Sequence, residues 1–198
     1  MNTGKILQFS IGPIGSAALG IISMPLLSWL FSPEDIGRLT MVNVVSSFML
    51  MLFSLGLDQA YVREYHETED KPGLLKSVFI PGFILLLVAL IAIGLTPWSI
   101  SRLLFDIDSF LLSSLMVLAI LLTFFSRFLS LILRMQERGF AFSMSQLLPK
   151  LLFLLVVLCY LSLGVPTIFE NLMLANVMAL SMVFIVYVWN TRKDWILS

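Results

Sequence analysis

The sequence predicts an all-α membrane protein, an antiparallel bundle of six transmembrane helices. Three observations carry this: an extreme apolar composition, six predominantly apolar stretches of spanning length, and a lopsided distribution of lysine and arginine between the loops. Of the 198 residues, 59% are hydrophobic and only 12% are charged, about half the roughly 25% of a soluble domain. Formal net charge is zero, so no bulk attraction to nucleic acid is expected. The lone cysteine, Cys159, excludes an internal disulfide. In its apolar run it reads as a packed or lipid-facing thiol.

A spanning helix takes about 20 mostly apolar residues. The sequence supplies six, at about residues 6–31, 39–57, 77–97, 109–133, 147–164 and 171–189, so that residues 1–198 form a single lobe. The first reads as a retained helix rather than a signal peptide. Pro13 interrupts its apolar run after Lys5, and "GSAAL" is a poor cleavage site followed by more apolar sequence. Its Gly12, Pro13, Gly15, Gly20 and Pro25 are either surfaces for close helix contact or points of flexure. Such breakers survive in a membrane only where neighbours or water satisfy the freed backbone.

The second span runs without proline or a break in apolarity into the charged stretch "SLGLDQAYVREYHETED", residues 54–70. One continuous helix over residues 39–67 would be about 43 Å long, against a hydrocarbon core of about 30 Å. It would have to tilt or stand proud of the membrane. Gln59, Arg63 and Glu67 fall at i, i+4 and i+8 as one polar stripe, with Tyr61 and Tyr65 beside it. The third span has Pro81 and Pro97 near its ends, and the fourth contains one charge, Arg127. "GVPTIFEN" separates the last two, a tight turn with a helix cap expected at Glu170 or Asn171.

Orientation follows from the cations. Alternate loops place Lys5, Arg63, Lys71, Lys76, Arg134, Arg138, Lys150, Arg192 and Lys193 on one side, and Arg38 and Arg102 on the other. The richer side is the cytoplasm, with both termini in it. The inventory for an enzyme is thin. His66 is the only histidine, so neither a Ser-His pair nor a two-histidine metal site inside the bilayer can be assembled. There is no P-loop, and neither metal nor cofactor is expected.

Residues 31–67, "FSPEDIGRLTMVNVVSSFMLMLFSLGLDQAYVREYHE", resemble the start of the bacterial polysaccharide flippases. There L-[ST]-P-E-[DE]-[FIY]-G ends the first span and G-[LIM]-D-x-A-[YLF]-x-R-x-[YF] ends the second. Residues 132–155, "ILRMQERGFAFSMSQLLPKLLFLL", are similar to that family's link between spans four and five. The family belongs to the multidrug, oligosaccharidyl-lipid and polysaccharide exporter superfamily. The resemblance implies flipping of undecaprenyl-diphosphate-linked oligosaccharide across the bacterial inner membrane by alternating access, for surface polysaccharide biosynthesis. It also implies two six-helix lobes, of which this chain carries the amino-terminal one. The partners expected are the lipid-linked oligosaccharide, membrane lipids and a second lobe, supplied by a partner chain or missing through truncation. The alternatives are a non-transporting six-span remnant or scaffold of polysaccharide assembly, and a multidrug-exporter-like lobe.

With a lipid diphosphate as cargo, the cations become candidate binding residues. Arg127, Arg134 and Arg138 share one helical face if the fourth span continues that far, and arginine holds phosphate through paired hydrogen bonds. The alternative is that Arg127 snorkels to the surface. Arg63 lines the cytoplasmic entrance or pairs with Glu67. Asp58, at the membrane boundary, pairs with an arginine of the fourth span. Lys150 faces the cavity or snorkels, snorkelling being the reading preferred. Asp58, Gly12, Pro13 and Pro25 are the structural or gating candidates.

Overall fold

The computed structural model describes the backbone of residues 3–96 and 99–196, and the side chains of residues 10–96 and 99–192. Pro97 and the side chains of Lys5 and Lys193 lie outside these described residues. The elements are α1 (Thr3–Leu30), α2 (Pro33–Ser54), α3 (Leu57–Glu64), α4 (Lys71–Gly94), α5 (Ile100–Phe105), α6 (Phe110–Met135), α7 (Gly139–Ser162) and α8 (Phe169–Ile196), with no strand among the described residues. Six are long and apolar enough to cross a membrane: Ser10–Leu30, Pro33–Ser54, Lys71–Gly94, Phe110–Met135, Gly139–Ser162 and Phe169–Arg192. The chain is thus a multi-pass, all-helical membrane bundle.

The start of α2 follows from local chemistry. The Ser32 hydroxyl accepts from the Asp35 amide at 3.1 Å, capping a donor the helix cannot satisfy itself. Pro33 opens the helix and Glu34 and Asp35 occupy its first turn, where the helix dipole favours negative charge. Arg38 reaches back to Glu34 at 2.7 Å and Asp35 at 3.3 Å. Its guanidinium also lies 5.7 Å from the Phe169 ring centroid, so α2 and α8 begin at the same end of the bundle and run the same way.

The expected continuous helix over residues 39–67 does not form. α2 stops at Ser54, and Leu55 (φ 52°) and Gly56 (φ 71°) are both left-handed. The left-handed conformation costs a non-glycine residue roughly 1–2 kcal/mol, a cost glycine escapes. What repays it at Leu55 is the burial of Tyr61 of α3 and of Tyr65 just after it, 2% and 6% exposed, among residues of α4 and α6. A straight continuation would carry those rings out of the bundle. The rings meet edge-on at 5.6 Å, Lys71 stands 4.5 Å over Tyr65, and Gln59, Arg63 and Glu67 remain exposed.

At the opposite end a short helix, α5, makes a corner with α6 that the sequence reading did not foresee. Buried Ser101 donates to the Ser109 carbonyl at 2.9 Å, and accepts from the Ser109 amide at 3.1 Å and from the Ser113 hydroxyl at 3.0 Å. The turn before α8 also differs from expectation. α8 begins at Phe169, ahead of both proposed caps. Asn171, inside the first turn of the helix, donates its side-chain amide to the Pro166 carbonyl at 2.8 Å.

The core is built on α6 and α8. Phe79 and Phe83 of α4 stack at 5.3 Å and pack on Phe124 and Phe128 of α6. α1 lies at the edge, against α7. A Cβ on Gly12 would come within 2.7 Å of Ser143 Cα, and one on Gly15 within 2.6 Å of Leu147 Cδ2. Gly12 therefore lets the two backbones approach closely and Gly15 receives the Leu147 side chain, the usual packing device of helices in lipid. α1 stays helical through Pro13 and Pro25.

Pro149 inside α7 lacks the amide that would bond the Ser145 carbonyl four residues earlier. The buried Tyr187 hydroxyl of α8 donates to that carbonyl at 2.8 Å. We expect Tyr187→Phe to lower thermal stability in detergent by about 1–2 kcal/mol, because a buried acceptor is left unpaired. In a Pro149→Ala background, where the helix amide returns, the same change should cost less than about 0.5 kcal/mol. Equal losses in both backgrounds would overturn this account.

Candidate functional site

The left-handed turn at Leu55–Gly56 places Asp58 in the first turn of α3, facing α6. Asp58 Oδ2 accepts from Arg127 Nη2 at 3.0 Å, with the carboxylate 13% and the guanidinium 47% exposed. Arg127 precedes the end of α6 at Met135 by about 12 Å of helix, so it lies well inside the spanning segment. A charge there is costly unless paired, and Asp58 supplies the pairing. Arg127 is therefore neutralised rather than offered freely, and it does not snorkel alone.

The cationic stripe of three arginines is not formed. α6 ends at Met135, Glu137 turns left-handed (φ 54°), and Arg138 becomes the residue before α7. Arg138 Nη1 instead donates to the Asn190 carbonyl at 3.3 Å, tying the α6–α7 connector to α8. Arg127 and Arg134 do share an exposed face of α6, and Arg134 has no partner among the described residues. Arg63 is exposed in the last turn of α3 and makes no pair with Glu67, because the helix ends at Glu64 and carries Glu67 off its face.

Lys150 departs furthest from expectation. It lies midway along the 24 residues of α7, too deep for an easy reach to the surface. Its Nζ donates to the Ser16 carbonyl of α1 at 2.9 Å and lies 3.7 Å from where a Gly20 Cβ would stand. The ammonium thus lies against α1 between Ser16 and Gly20. No carboxylate pairs with it among the described residues, and its residue is exposed. Among the described residues, two cations thus lie well inside a span, one neutralised by a carboxylate and one resting on a neutral carbonyl. Only the second keeps a full positive charge for an anion.

Sequence reasoning anticipated the partner of Asp58 but missed Ser16 and Tyr187. For Tyr187 a signal existed, since Pro149 implies an orphan carbonyl at Ser145. For Ser16 there was none, because a backbone acceptor leaves no mark in the sequence. No group of histidine, cysteine or acidic residues suited to a metal ion occurs among the described residues.

No curated protein and no solved structure matches the chain. The family model of polysaccharide biosynthesis proteins matches residues 4–198. With six spanning helices and that match over nearly its whole length, the chain belongs to the polysaccharide biosynthesis protein family.

Proposed function

We propose that the chain is one six-helix lobe of a flippase that carries undecaprenyl-diphosphate-linked oligosaccharide across the bacterial inner membrane for surface polysaccharide assembly. The observation that carries the reading is Lys150, an exposed ammonium in mid-membrane without a carboxylate partner among the described residues. Intramembrane charges that face neither lipid nor a counter-ion mark cavities and substrate paths. A diphosphate is the anion of this lipid, and α1, to which Lys150 is bonded, contains Pro13 and Pro25. Transport would be alternating access, with this lobe rocking against a second lobe about the cavity. The cation bias of the loops supports termini in the cytoplasm.

Cells lacking the protein are expected to accumulate the lipid-linked oligosaccharide on the cytoplasmic leaflet and to lose surface polymer. A restored copy carrying a cytoplasm-dependent fluorescent protein at its carboxyl end should be fluorescent and should return both to normal. Normal polymer in the deletion strain would refute the flippase reading, and a dark but functional fusion would refute the orientation.

A further inference from the structure

α4, α6 and α8 line a half-open pocket near the end of the bundle that carries α3. Its volume is about 260 Å³, and it is walled by Phe79 of α4, Phe125, Phe128 and Leu129 of α6, and Phe184 and Val188 of α8, with Lys76 of α4 the one polar residue in its lining. Ring contacts join the walls: Phe79 to Phe125 at 5.2 Å, Phe79 to Phe128 at 5.3 Å and Phe125 to Phe184 at 5.6 Å. An apolar cavity of about 150 Å³ stays free of water and takes up benzene, so this larger one suits hydrocarbon. It is smaller than the roughly 300–1,000 Å³ of pockets for drug-sized ligands, so it takes a segment of one slender chain, and its walls offer a sugar no hydrogen-bond partner but Lys76. Lys76 is only a turn and a half into α4, and Val188 is four residues before the end of the α8 span. The cation therefore stands at the depth of lipid headgroups while the phenylalanines stand at the depth of the chains.

We propose that this pocket binds one hydrocarbon chain of an anionic lipid from the proposed cytoplasmic leaflet, with the phosphate at Lys76. The shape and charge of the pocket carry this without the transport reading. Two lipids share the chemistry, a phosphatidylglycerol-type phospholipid and a polyprenyl phosphate.

The test is native mass spectrometry of the purified full chain after delipidation, with phosphatidylglycerol, phosphatidylethanolamine of the same acyl chains, or undecaprenyl phosphate added back. One retained anionic lipid per chain is expected. Leu129→Trp and Val188→Trp, filling the pocket from different helices, should each reduce that adduct at least five-fold. Ile84→Trp, on an exposed face of α4, should not. Lys76→Gln should remove the preference for phosphatidylglycerol over phosphatidylethanolamine. Displacement of phosphatidylglycerol by undecaprenyl phosphate would identify the isoprenoid as occupant, and retention against it the phospholipid; either supports the site. Adducts unchanged in both tryptophan variants, or reduced equally by Ile84→Trp, would overturn it.

Discussion

Lys150→Gln is expected to cut flipping of the lipid-linked oligosaccharide by about 10- to 100-fold while leaving the amount of protein in the membrane unchanged or higher. Glutamine keeps a donor for the Ser16 carbonyl, now 2.9 Å from Nζ, so the α1–α7 contact survives and only the charge is lost. A hydrogen bond to a charged group is worth about 1.5–3 kcal/mol, which sets the size of the loss if the ammonium holds a phosphate oxygen. A charge in the middle of a span hinders insertion by about 2.5–3.5 kcal/mol, so its removal should not lower yield. Lys150→Arg should retain most transport. Radiolabelled or fluorescent sugar lipid, followed across vesicles containing the complete transporter, gives the rate. Wild-type flipping in Lys150→Gln would remove Lys150 from the substrate path.

Asp58→Ala is expected to have the second largest effect, on stability first. It strips Arg127 of its partner within the span. Breaking a buried pair costs about 3–5 kcal/mol, but Arg127 is 47% exposed, and solvent and lipid headgroups screen what remains. About 1–2 kcal/mol is the expected destabilisation, read as a lower thermal midpoint in detergent. Replacing both partners, Asp58→Ala with Arg127→Leu, should recover most of it, since no unpaired charge is left. If the double variant is no more stable than Asp58→Ala alone, the pair does not hold α3 to α6.

Much of this architecture was legible because spanning helices depend on sums over consecutive residues. The uncharged run at residues 39–57 and the proline at 149 say where a helix is apolar and where a carbonyl is orphaned. They do not say where the chain turns. Gly56 permits a left-handed turn, but Leu55 adopts one too, against its own preference, because Tyr61 and Tyr65 find a buried place only when α3 folds back. The Arg127–Arg134–Arg138 stripe failed for a related reason. Whether α6 continues past Met135 depends on Glu137 and on the bond from Arg138 to Asn190, neither of which a helical spacing reveals.

Read alone, the chain established its class, its number of spans, the bias of its cations and its kinship with the polysaccharide biosynthesis proteins, all properties of local composition and short motifs. Folding then assigned partners to the charges. Asp58 meets Arg127 across 69 residues and Lys150 meets Ser16 across 134. In each case helix packing, and not any feature near either residue, brings the groups within hydrogen-bonding distance. Which cation stays available to an anion is therefore a property of the packed bundle: a carboxylate reaches Arg127, while Lys150 finds only a neutral carbonyl.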